Sequence, residues 1–232
     1  MAEIAVKKFQ ATDFQTSEAI KTLRSNLIFS GSSIQAVELT SFSASEGKST
    51  ISFQLALSMA EAGKKVLLID ADLRKSVLLS YLKVRDRIKG LSHYLSGQAT
   101  VDELVIPTDM PGFFIMFSGA RVPNSSELLG SAQFKKLIPS LKKVFDYIIV
   151  DAAPLGLVID AAVMAPMLDG ALMVIDTTSN SYRLERKMQQ QLKKSGGKIL
   201  GVVLNRVNYK DRGSYYGKKY SYGYGYRYGG DE

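Results

Sequence analysis

The stretch SASEGKST, Ser43 to Thr50, decides the fold. Before it stands AVELTSF (Ala36–Phe42), which reads as a strand. After it comes TISFQLALSMAEAG (Thr50–Gly63), which reads as a buried helix stopped at Gly63. A short loop carrying Gly-Lys-Ser between a strand and a helix makes an anion cradle: backbone N–H groups and the positive helix end face the anion. Lys48 then reaches the β- and γ-phosphates of a nucleotide, and the Ser49 hydroxyl meets Mg²⁺. Gly47 lets the backbone pass close to the phosphates. The full pattern G-x-x-x-x-G-K-[ST] is broken, because Phe42 stands where the first glycine belongs. A chance junction of loop and helix has to be weighed against the cradle, so the rest of the chain must decide.

Working outward, KVLLID (Lys65–Asp70) is a short apolar run suited to the middle of a parallel sheet. The same kind of run recurs at FFIMFSG, DYIIVDAAP, GALMVIDTT and KILGVVLNR. Segments of helical character lie between them, among them SAQFKKLIPSLKKVF and SYRLERKMQQQLKKSGG. Ahead of the first strand, SEAIKTLRSNLIFS carries apolar residues at helical spacing, with Ser17 as the expected N-cap. Strand and helix alternate throughout, which predicts one α/β domain with a mainly parallel sheet flanked by helices. The expected division is an arm over 1–16, the domain over 17–208, and a tail over 209–232.

Three strand-end carboxylates bear on the cradle. Asp70 and Asp72 close one strand, and Asp151 closes another. A lone aspartate at a strand end is usually a cap or a solvated turn. In an open parallel sheet, however, ligands gather at the carboxyl ends of the strands. Lys48, Ser49, Asp70, Asp72 and Asp151 are therefore expected to meet in one crevice, as Mg²⁺ and phosphate machinery.

Composition sets limits. The chain has 232 residues, a formal net charge of +8 and no cysteine. A disulfide framework and thiolate metal sites are excluded. No apolar run reaches the length of a membrane span, and the first residues lack the pattern of a signal peptide, so the expected location is cytoplasmic. The charge suits an anionic partner, a membrane surface or phosphate groups, or simply a soluble surface. The only histidine, His93, has no carboxylate or cysteine neighbour in sequence and reads as a surface or helix-end residue. Met59, Met116, Met164 and Met167 read as core filling.

The composition changes after Asn208. YKDRGSYYGKKYSYGYGYRYGGDE contains no aliphatic residue and cannot offset the entropy of ordering, so a disordered tail is expected. It holds Tyr215, Tyr216, Tyr220, Tyr222, Tyr224, Tyr226 and Tyr228. Interleaved Tyr, Gly, Lys and Arg would suit stacking on nucleic-acid bases. That reading leaves Asp70, Asp72 and Asp151 without a purpose, and no nucleic-acid partner is expected.

Taken together, GKST, LLIDADLRK and FDYIIVDAAP resemble the Walker A, A′ and B set of the bacterial tyrosine kinases, P-loop kinases of capsule and exopolysaccharide biosynthesis. GLSHYLSG and SGARVPNSSELLGSAQF are similar to further segments of that family, and the likeness runs from about Glu18 to the end. The resemblance implies a P-loop NTPase fold and ATP-dependent phosphorylation of protein tyrosines. Ser45, Glu46, Gly47, Lys48, Ser49 and Thr50 would surround the phosphates, and Asn205 would contact adenine. Ser49 would ligate Mg²⁺ directly, with Asp72 and Asp151 acting through water. Asp70 would take the proton of the tyrosine hydroxyl. The seven tail tyrosines would be the phosphoacceptors. Glu18, Lys21 and Arg24 match the E-x-x-R-x-x-R motif that joins subunits into a ring. A separate membrane adaptor would activate the kinase and recruit it to the inner face of the plasma membrane. Ala44 and Ser45 stand where the family has Pro-Gly, Lys21 where it has arginine, and Ala153 where it has proline. Septum-site and partitioning ATPases share the fold and are the alternative, a switch without kinase activity. Their second lysine, five residues before Lys48, is Ser43 here.

Overall fold

The computed structural model describes residues 3–9, 13–84, 88–178 and 182–207. The expected tail and its seven tyrosines lie outside the described residues. The strands are β1 (Ala36–Ser41), β2 (Val66–Asp70), β3 (Ile106–Pro107), β4 (Phe113–Met116), β5 (Tyr147–Asp151), β6 (Gly170–Asp176) and β7 (Ile199–Asn205). The helices are α1 (Phe14–Phe29), α2 (Lys48–Glu61), α3 (Leu78–Tyr81), α4 (Leu91–Leu95), α5 (Ser125–Leu129), α6 (Ala132–Leu141), α7 (Asp160–Met164) and α8 (Tyr182–Lys194).

The strands form one seven-stranded sheet in the order β3-β4-β2-β5-β1-β6-β7. Every pairing is parallel except that of β3 with β4. The sheet is parallel because each apolar run is followed by a helical crossover that returns the chain to the same starting edge. β3 escaped the sequence reading: it has two residues, one of them Pro107, and gives no periodic signal.

Both sheet faces are covered, which is why the strands read as unbroken apolar runs. Leu67, Ile69, Ile148 and Val150 face a core with Phe134, Leu137 and Met188. Leu68, Leu39 and Ile149 face the other, against Phe53, Leu55 and Leu57 of α2. Met59, Met116 and Met164 are fully buried within these cores, in keeping with their expected role as filling.

α1 starts earlier than the spacing suggested. Asp13 caps it, its carboxylate accepting the Thr16 N–H at 2.8 Å, and Ser17 lies inside the helix. Aspartate and serine cap about equally well, so cap chemistry alone does not choose between Asp13 and Ser17. Part of the segment expected as an arm packs on the domain. The Ile4 N–H reaches the Pro107 carbonyl at 3.1 Å, and Val6 is fully buried with its N–H on Asp109 at 2.7 Å. No helix among the described residues is long and apolar enough to cross a membrane.

Candidate nucleotide and phosphoryl-transfer site

Parallel strands bring their carboxyl ends to one sheet edge, and the site is built there. β1 runs out at Ser41, and the chain turns through Phe42–Gly47 into α2. Two residues of this turn are left-handed, Ser45 at φ 65° and Gly47 at φ 91°. Gly47 is the N-cap of α2 and offers no side chain to the first-turn amides. A Cβ there would stand 2.1 Å from the Asn205 side-chain nitrogen. Both backbone angle and space therefore demand glycine.

The loop is pinned from both sides. Glu46 folds its carboxylate back onto the N–H groups of Phe42 and Ser43, each at 3.1 Å. From the end of β7, the Asn205 amide donates to the Glu46 carbonyl at 2.8 Å, and the Arg206 guanidinium donates to the Ser45 carbonyl at 3.0 Å. Arg206 is itself held by Asp176 at the end of β6. Sequence reading singled out Asn205 but not the Asp176–Arg206 pair. The two residues are thirty positions apart, and adjacent strand ends alone bring them together.

The five residues expected to meet do so. Asp70 and Asp151 are direct partners in the pairing of β2 with β5. The Lys48 ammonium lies 3.0 Å from Asp151 Oδ1, 3.8 Å from Asp72 Oδ2 and 3.2 Å from Ser49 Oγ. Burial pulls the Lys48 ammonium down, but Asp151 and then Asp72 outweigh it, and its pKa ends above the ordinary lysine value. Asp70 is fully buried and accepts the Ser76 hydroxyl. Burial, and then the charge of Asp151, push its carboxyl up to about 7, while Ser76 and Lys48 pull it back.

Beyond Asp72 the chain places Arg74 on the buried Asp160 carboxylate at 3.1 Å. Asp160 also accepts the Ser125 hydroxyl at 2.6 Å. This ties the strand-end loop of β2 to α5 and α7. Asp160 was not among the expected residues; a buried aspartate at a helix start has no signature beyond that of a cap.

The remaining expected residues lie elsewhere. Thr50 sits in the first turn of α2 and lines the same cavity as Lys48 and Ser49. On α1, Glu18 and Lys21 pair with each other at 2.7 Å on the surface. Arg24 turns inward and donates to the Ser58 carbonyl at 2.8 Å on α2. His93 stands in the first turn of α4, where its Nδ1 accepts the Gly90 N–H at 3.1 Å, the helix-end place expected of it.

A three-residue cation cluster at the mouth of a P-loop suits Mg²⁺, which keeps several waters and takes one or two protein ligands beside the phosphates. Ser49, Asp72 and Asp151 already converge on one positive charge, the Lys48 ammonium, so their oxygens form a place that accepts a cation. No group of three or more His, Cys, Asp or Glu side chains that could hold a metal ion occurs among the described residues.

A strand–loop–helix anion cradle at the carboxyl edge of a parallel sheet, with lysine and strand-end aspartates at its mouth, defines a P-loop nucleotide-binding protein. Comparison with known proteins narrows the class. An AAA domain family model matches residues 37–202. Tyrosine-protein kinase CpsD of Streptococcus agalactiae is 42% identical over 206 residues, covering 87% of this chain and 90% of that protein. The kinase domain of Escherichia coli tyrosine kinase ETK superposes with a TM-score of 0.82 at 32% identity, covering 94% of this chain and 85% of that one. The chimerical protein CapA2B2 gives a TM-score of 0.80 at 30% identity over 88% of this chain and 92% of its own. The chain belongs to the bacterial tyrosine kinases, and it is a protein-tyrosine kinase.

Proposed function

We propose that this kinase transfers the γ-phosphoryl of ATP to tyrosines of its own C-terminal segment, and that this autophosphorylation regulates capsular or exopolysaccharide synthesis and export. The observation that carries the reading is the meeting of Lys48, Ser49, Asp72 and Asp151 on one point beside the buried Asp70.

The amides of the P-loop and the Lys48 ammonium hold the phosphates. Ser49, Asp72 and Asp151 would hold Mg²⁺ beside the phosphates. The ion, when bound, neutralises charge on the phosphates. With phosphate present, Lys48 exchanges its carboxylate partners for the transferring group. The transition state is loose, so positioning and electrostatics supply most of the acceleration. The tyrosine oxygen forms the new bond to phosphorus as the bond to the β-phosphate oxygen breaks, and ADP leaves. Asp70 orients the tyrosine hydroxyl and accepts its proton. Asn205, beside the loop at the end of β7, contacts adenine.

We also propose a homo-oligomeric ring in which Glu18 and Lys21 meet the neighbouring subunit, and activation by a transmembrane adaptor that recruits the cytoplasmic chain to the inner face of the plasma membrane. The exposure of the Glu18–Lys21 pair supports the first; the likeness to CapA2B2 supports comparison with a fused partner. Arg24 supports the ring by holding α1 on α2.

The test is to incubate the purified chain with ATP and Mg²⁺, beside Lys48→Met, and to map phosphate by mass spectrometry. Phosphotyrosine confined to Tyr215–Tyr228 and absent from the variant is expected. ATP hydrolysis without any phosphotyrosine would point to the septum-site type of switch and reject the reading.

A further inference from the structure

The P-loop opens into a cavity of about 400 Å³ with two unlike walls. One wall carries Lys48, Ser49 and Arg206, the equipment for phosphate. The rest of the lining includes the apolar Val77, Pro154, Leu157 and Val158, with Arg74 and Lys75 on the same loop as Val77. The phosphates make no use of these apolar side chains, and the adenine is assigned to Asn205, which lines a different cavity. Val77 is 49% exposed and Leu157 66% exposed, large apolar side chains left open to water at the mouth of a charged site. Single exposed apolar residues need no explanation; two from separate loops lining one reaction cavity do.

Both loops are held in place. The turn carrying Leu157 closes by N–H groups of Leu157 and Val158 on the Pro154 carbonyl, each at 3.1 Å. Leu155 and Gly156 tie back to the carbonyls of Ser41 and Phe42 at 2.8 and 3.0 Å. A Cβ on Gly156 would lie 2.3 Å from the Phe42 carbonyl oxygen, so the turn is seated directly on the start of the P-loop. Val77 follows Ser76, whose hydroxyl is bonded to Asp70. The apolar wall is thus anchored at one end to the phosphate loop and at the other to the carboxylate proposed to take the proton.

We propose that Val77 and Leu157 form the acceptor subsite, gripping the aromatic ring of a tyrosine while its hydroxyl meets Asp70 and the phosphoryl group. This rests on the kinase reading given above. An apolar grip on a ring explains a selection that phosphate machinery cannot make: serine has the hydroxyl but nothing for the wall to hold. The occupant is this chain's own C-terminal segment. Arg206 lines the same cavity, and the C-terminal segment joins the chain directly after the next residue, Val207. The eight residues from Val207 to Tyr215 span at most about 26–29 Å when extended, enough to leave the rim and return. The segment also carries Lys218, Lys219 and Arg227 among its tyrosines, so it brings like charge toward Arg74 and Lys75. Attraction has to come from the rings.

The test uses the full chain with Tyr209 and the seven tyrosines from Tyr215 to Tyr228 changed to serine, so that the chain's own segment is neither labelled nor a ring-bearing competitor of an added peptide. The peptide is SYYGKKYSYGYGYRYGG, residues 214–230. Leu157→Ser together with Val77→Ser should raise the peptide KM about tenfold, the scale of apolar pocket contacts. The kcat should stay within about threefold, and the KM for ATP should move less than about twofold. Leu157→Met should restore most of the loss. A second peptide with phenylalanine at every tyrosine should compete with the first, and the double variant should lose that inhibition. An unchanged peptide KM in the double variant, or equal inhibition by a peptide with serine at every tyrosine, overturns the subsite. Raised KM for an unrelated tyrosine peptide but not for this one would give the wall to another substrate and overturn the choice of occupant. If the unaltered wall gives no labelled peptide at all while ATP is hydrolysed, the kinase reading itself fails, which is a separate result.

Discussion

Glu38 stands in the middle of β1, fully buried, and neither carboxylate oxygen has a hydrogen-bond partner. Burial alone pushes its carboxyl well above the ordinary range. A carboxyl whose folded pKa is raised contributes its stability in full below the unfolded value of about 4.3, and loses it as pH climbs toward the folded value. The domain is therefore less stable at pH 8 than at pH 5.5 on account of this group. Asp70 acts in the same direction, so the informative quantity is the difference between wild type and variant. Glu38→Leu should stabilise the domain by about 1–3 kcal/mol at pH 8 and by less at pH 5.5. Urea unfolding at both pH values checks this, and a gain that does not grow with pH would refute it. Ser45 gives a second case. It holds φ 65° in the P-loop, where the family carries glycine. A left-handed residue with a Cβ costs roughly 1–2 kcal/mol, and glycine gives back part of that through its freer unfolded chain. Ser45→Gly should raise stability by about 0.5–1 kcal/mol, read as a small rise in thermal midpoint.

At the scale of elements, the end of β7 acts as a clamp on the turn between β1 and α2. Asn205 and Arg206 hold the carbonyls of Glu46 and Ser45, and Gly47 leaves the space that Asn205 fills. Gly47→Ala would force Asn205 away and strain the left-handed cap, so the loop should open. Affinity for inorganic triphosphate is expected to fall by at least about tenfold, while Asn205→Ala, which frees the loop without strain and whose adenine contact this ligand does not probe, should cost less. Calorimetric binding of inorganic triphosphate distinguishes them, and equal losses would argue against the clamp. These elements also show what was legible in the sequence. Local signals gave β1, the loop and α2, because apolar runs, glycine and lysine carry their meaning within a few residues. Alternation then gave the parallel sheet, and the sheet gave the meeting of Asp70, Asp72 and Asp151. What stayed hidden depends on distant pairings. Asp176 meets Arg206, and Arg74 meets Asp160. Neither pair has a spacing to recognise. The start of α1 was misjudged because Asp13 and Ser17 are both sound caps in sequence, and packing of the residues ahead of it settled the choice.

At the scale of the whole molecule, the question is how a tyrosine-bearing segment and the site beside it work in an assembly. The segment leaves from β7, next to the cavity, so geometry permits both its own site and a neighbour's. Mixing Lys48→Met full-length subunits with active subunits truncated after residue 208 separates the two. Phosphate on the full-length chain is expected if transfer runs between subunits, and its absence would restrict transfer to a chain's own site. Phosphorylation should then act back on the assembly. Each phosphotyrosine adds roughly −1.5 to −2 charges at pH 7. Filling three sites adds about −5 to a segment whose lysines and arginines leave it weakly basic, and reverses its sign. In the proposed ring, phosphorylated segments brought close together would repel one another, most strongly at low ionic strength. If Glu18 and Lys21, which pair with each other within α1, exchange partners across the proposed ring, each such exposed pair is worth under about 1 kcal/mol and leaves little reserve against that. The fully phosphorylated chain should sediment as smaller species than the unphosphorylated chain at 50 mM salt, and the difference should narrow at 500 mM. Equal mass in both phosphorylation states at low salt would show that charge on the tail does not open the ring.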